Sequence, residues 1–96
     1  MVKSSWDETD GFAKRLRLVR LASGFDTVRE FSARLGVQEG TYAFYERGRG
    51  FPNPMVLGRI RQLTGATVDY LYYGDEAGIR VGLLRAIAVI QARQAG

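Results

Sequence analysis

Ninety-six residues, 46% of them apolar and 25% charged, suffice for one domain with a real core and exclude wholesale disorder. Cysteine and histidine are both absent, which removes disulfides, thiolate and imidazole metal sites and the commonest general base, so no cofactor, no metal and no enzymatic activity are expected. The net charge of +4 favours a polyanionic partner only weakly, because twelve of the fourteen cations are arginine, which a GC-rich genome supplies without any binding role.

Residues 1–9 read as a polar tail without the apolar segment of a signal peptide. The longest strongly apolar stretch, residues 86–90, is far shorter than a membrane span, so a cytoplasmic address is expected. Asp10 is a candidate cap for a first helix from Phe12 to about Ala22. Phe12, Leu16 and Val19 share one stripe there, with Lys14, Arg15 and Arg17 outside it, and Ser23-Gly24 ends the helix.

Thr27 opens a second helix, and Glu30 three residues on completes a capping box; Phe31 and Leu35 face inward and Gly36 stops it. A third helix follows almost at once, from about Gln38 or Glu39 to Arg47, ending at Gly48. After a loop carrying Arg49 and Gly50, Asn53-Pro54 has the form of a cap followed by proline at the first helical position. This fourth helix runs to Thr64 with Leu57, Ile60 and Leu63 inward. Gly65 breaks it, and Thr67 caps a short fifth helix that closes at Gly74. Its tyrosines Tyr70, Tyr72 and Tyr73 are expected in core or interface positions rather than stacked on bases.

A last helix, about Glu76 to Arg93, carries the stripe Ile79, Leu83, Ile87 and Ile90, widened by Val81, Leu84 and Ala88. So apolar a helix must be covered on both flanks, either by its own domain or by a second copy. The second copy is the preferred expectation, with Ile79, Leu83, Leu84, Ile87 and Ile90 as the dimerisation residues.

The stretch from Thr27 to Gly48 carries the functional reading. Two short helices meet around Gly36-Val37-Gln38, the sequence form of a helix-turn-helix, whose second helix can enter a DNA major groove about 12 Å wide. Leu16-Arg17 with Arg20, then Thr27, Glu30-Phe31-Ser32 and Leu35-Gly36-Val37, then Thr41-Tyr42 and Tyr45-Glu46-Arg47-Gly48, resemble the Cro/phage-repressor type of helix-turn-helix regulator, the XRE family. The segment from Ala66 through Thr67-Val68-Asp69-Tyr70-Leu71 to Gly74 is similar to the fifth helix of those domains, so the likeness covers roughly residues 12–74.

The resemblance implies an all-α fold, with a five-helix lambda-repressor-like DNA-binding domain over residues 10–74 and a C-terminal apolar helix over 75–96. It also implies a dimeric bacterial or phage transcription regulator, a repressor in preference to an activator, on a near-palindromic double-stranded operator. At the positions of Arg20 and Glu46 it implies a structural ion pair tying the first helix to the third.

On a helical wheel Tyr42 and Tyr45 point into the core, while Glu39, Gly40, Ala43, Phe44 and Arg47 point away from it. Where members of the family carry polar amides or basic residues that read bases, this chain has an acid, a glycine and a phenylalanine. Three readings stay open. Phe44 packs on thymine methyl groups while Glu39 accepts from cytosine and Gly40 with Ala43 lets the helix sit deep; or Phe44 is a core or interface residue; or the face grips a protein, as in an antitoxin or anti-repressor module.

Phosphate contacts are expected from Arg47 and Arg49, and from Thr27 with the free amides at the start of the second helix, where Val28 brings no polar side chain and Arg29 is the compensating contact. The full DNA-facing set is then Thr27, Val28, Arg29, Gln38, Glu39, Gly40, Thr41, Ala43, Phe44, Arg47 and Arg49. Arg34, Arg59 and Arg61 read as ordinary solvated helix faces.

Overall fold

Hydrophobic spacing near 3.6 residues, punctuated by capping residues and glycines, resolves in the computed structural model into six helices among the described residues. The structure describes the backbone of residues 4–95 and the side chains of residues 11–95. The helices are α1 (Ser4–Ala22), α2 (Val28–Leu35), α3 (Glu39–Glu46), α4 (Pro54–Thr64), α5 (Val68–Tyr73) and α6 (Val81–Ala95). Among the described residues there is no strand, and no helix is long and apolar enough to cross a membrane.

The internal boundaries follow local chemistry. The side chains of Thr27, Asn53 and Thr67 accept from the amides of Glu30, Val56 and Tyr70 at 3.1, 2.9 and 3.0 Å, each satisfying one donor that a helix start leaves unpaired. The two outer helices depart from expectation. α1 begins at Ser4 rather than after Asp10, two turns earlier, so most of the expected tail is helical. No proline or glycine interrupts residues 4–10, and the acids at positions 7, 8 and 10 suit the positive end of a helix dipole. α6 begins at Val81 rather than near Glu76, because residues 75–79 form a turn in which Asp75 accepts from the Ala77 amide and Gly78 takes φ +87°.

One core runs through the molecule. α1 lies at its centre, packed against α3, α5 and α6, while α2 bridges α3 and α4. Phe12, Leu16, Val19, Phe31, Tyr42, Ile60 and Leu71 are fully enclosed. Ile79, Leu83 and Ile87 belong to the same core at 7, 5 and 3% exposure, and Leu84 and Ile90 lean on it half-buried. Ile79, Leu83 and Ile87 are therefore taken up by the chain's own core and are not free to hold a second copy, a correction to the expectation for these three, while Leu84 and Ile90 keep part of their surface. The reason lies in α1, which carries Ala13 and Leu18 beside its main stripe and so has two flanks to bury. α5 covers one flank and α6 the other.

Arginines finish the helix ends. Arg15 donates to the carbonyls of Leu71 (2.9 Å) and Tyr72 (2.8 Å), Arg59 to Leu35 (3.0 Å) and Arg80 to Thr64 (2.8 Å), at the ends of α5, α2 and α4. A guanidinium there satisfies carbonyls that have no intrahelical donor and sits at the negative end of the helix dipole. Arg59 is thus a tether between α4 and α2, not the solvated residue expected. Gly11 inside α1 allows this geometry, since a Cβ there would lie 3.2 Å from the Arg15 guanidinium.

Candidate nucleic-acid interface

α2 and α3 are joined by Gly36-Val37-Gln38. Gly36 ends α2 in the left-handed region at φ +72°, its amide donating to the Ala33 and Ser32 carbonyls. The Val37 amide donates to the Ser32 carbonyl at 3.0 Å, and its side chain leans on the core, so the corner is held at both backbone and side chain. α3 is then pinned by Tyr42, which has no exposed surface and meets Phe31 edge to face at 5.3 Å.

A second anchor ties α3 to α1. Arg20 Nε donates to Glu46 Oε2 at 2.8 Å and Nη2 to Oε1 at 3.3 Å, a two-pronged pair with both side chains nearly enclosed. The third prong of Arg20 donates to the Phe25 carbonyl at 2.9 Å, and the Tyr42 hydroxyl donates to Glu46. Every charge in this small network is matched, as burial requires. Burial, reinforced by the Glu46 carboxylate beside it, holds the Tyr42 phenol far above its ordinary range.

With α3 held this way, its opposite side faces outward. Gln38, Glu39, Gly40, Thr41 and Arg47 are exposed, Ala43 is half-buried, and a Cβ on Gly40 would meet nothing within 4 Å. Gln38 makes no side-chain capping bond to the helix it precedes. Thr27, Arg29 and Arg49 are exposed as well. Val28 differs: it leans half-buried on the core, so no more than its backbone amide is offered to a ligand.

Phe44 is also not simply a projecting side chain. Its ring rests on Gly50, where an added Cβ would lie 2.8 Å from Phe44 Cε2, although 44% of the residue remains exposed. The chain returns to make this contact through a Schellman motif, in which the Gly48 amide donates to Tyr45 (3.2 Å) and the Arg49 amide to Phe44 (3.2 Å), with Gly48 at φ +72°. The loop bearing Arg47 and Arg49 is thereby fixed at the end of α3. Helical spacing showed the ring leaving the core but could not show the loop folding under it.

Beyond Gly50 the chain enters an aromatic cluster: Phe51 stacks on Tyr72 at 4.9 Å, and both meet Phe12 edge to face. Tyr70 is buried and Tyr72 half-buried, whereas Tyr73 is 75% exposed and so lies outside the core. The guanidinium groups of Arg47, Arg49, Arg29 and Arg61 have no partner among the described residues, in contrast to the capping arginines and to Arg34, which lies 5.5 Å from the Phe25 ring centre.

No family model matches this chain, and neither a curated protein nor a solved structure is similar enough to it to count as a match.

Proposed function

We propose that this protein binds double-stranded DNA sequence-specifically through a helix-turn-helix made of α2 and α3, with α1–α5 in a lambda-repressor-like arrangement, and that it regulates transcription. The observation that carries the reading is the division of α3. Tyr42 and Glu46 bind it to the core, while Gln38, Glu39, Gly40 and Thr41 stand exposed, and the exposed guanidinium groups of Arg29 and Arg47 have no partner among the described residues. A groove-reading helix needs a rigid mount, a free leading edge and cations beside it to neutralise phosphates. The free amides at the start of α2 add a second phosphate contact.

Binding as a two-fold pair belongs to the same proposal, with recognition helices about 34 Å apart on a near-palindromic operator. The pairing surface would be other than the buried Ile79, Leu83 and Ile87. The second reading, a module that grips a protein partner, draws on the exposed part of Phe44; its seat on Gly50 argues for a role within the loop instead.

The test is duplex binding across a range of salt. Log affinity falls steeply and linearly with log salt, and Arg47→Ala reduces the slope by about one while weakening binding to all sequences alike. Affinity that does not depend on salt, or that stays millimolar for every duplex, rejects the proposal.

A further inference from the structure

Because Phe44 is drawn back onto Gly50, the part of α3 left to lead into a groove is its first turn, Glu39, Gly40 and Thr41. That turn is headed by an exposed carboxylate with no partner among the described residues. A carboxylate accepts hydrogen bonds and cannot donate them when ionised, and every phosphate around it is repulsive. On a DNA-facing surface a hydrogen-bond donor is what such a group can recognise.

The major-groove edges of the bases restrict that donor. Guanine shows two acceptors and thymine an acceptor beside a methyl group, so both repel an acid. Adenine shows an amino donor, but its N7 acceptor lies next to it. Cytosine alone presents an amino donor with no acceptor of its own on that edge. The bare Gly40 removes the side chain that would hold the first turn away from the base pair, since nothing surrounds its Cβ position.

We infer that Glu39 is the specificity-determining residue of the site and reads the amino group of a cytosine at one fixed position in each bound half-site. The inference rests on the DNA-binding reading, and the experiment separates the two. Duplexes are selected from a random pool by the wild-type chain and by Glu39→Gln, a substitution at an exposed position outside the core. The wild type enriches a motif with cytosine at one position, other bases there weakening binding roughly tenfold or more. Glu39→Gln moves that position to adenine, because an amide both donates to N7 and accepts from the adenine amino group, and leaves the rest of the motif unchanged. A wild-type motif that Glu39→Gln leaves intact at every position overturns the inference and spares the proposed function. A wild-type chain that enriches no motif overturns both. Circular dichroism of the two proteins at equal concentration shows whether they are folded alike.

Discussion

Arg20, Tyr42 and Glu46 form a closed circuit of charge and hydrogen bonds between α1 and α3, and its energetics are asymmetric. The intact pair adds little net stability, but removing one member leaves the other charge buried without a partner. Glu46→Ala is therefore expected to cost about 3 kcal/mol or more, measured by thermal or denaturant unfolding; a variant as stable as the wild type would contradict the enclosed geometry. The phenol supplies a second check. Its folded-state ionisation is pushed above the unfolded value of about 10, so the unfolded chain releases its proton first. Stability is fully present below pH 10 or so and declines as pH rises beyond it. Tyr42→Phe is expected to start less stable, having lost its bond to Glu46, yet to show a shallower alkaline decline in unfolding titrations. Tyr70 and Tyr72, also shifted upward by burial, leave a residual slope.

At the scale of elements, helix starts were legible wherever a side chain closed its own backbone. Thr27, Asn53 and Thr67 act over three residues, and that chemistry is complete within the segment. The ends closed by arginines were not legible, because Arg15 reaches Leu71 and Arg80 reaches Thr64 across the fold. Two glycines separate these cases experimentally. Gly58 lies exposed inside α4 with nothing near its Cβ position, so Gly58→Ala is expected to raise stability by about 0.5–1 kcal/mol through helix propensity alone. Gly65 ends the same helix at φ +88°, and a Cβ there would lie 2.7 Å from Arg80 Nε. Gly65→Ala is expected to destabilise by about 1 kcal/mol or more, by backbone strain and by disturbing the Arg80 cap. Paired urea titrations giving the same sign for both would refute the assignment.

For the whole molecule, the decisive arrangement is α6 against α1. With Leu83 at 5% exposure inside the chain's own core, Leu83→Ala is expected to cost about 2–5 kcal/mol. The loss should be equal in dilute and concentrated protein. A loss that changes with concentration would instead mark Leu83 as an intersubunit residue, since association shifts apparent stability by mass action. The same packing leaves Val81 and Val89 on the outer side of α6, where they contribute nothing to this core.

The sequence by itself determined the all-helical class, the breaks that separate α1 through α5 and which side of α3 faces inward, because capping chemistry and helical periodicity act between residues only a few positions apart. It also marked the last helix as needing apolar cover. Only the tertiary structure decided what that cover is, where Phe44 rests and which arginines remain unpaired. Those outcomes depend on surfaces brought together from distant parts of the chain, and an apolar stripe or a guanidinium carries no mark of the partner it will meet.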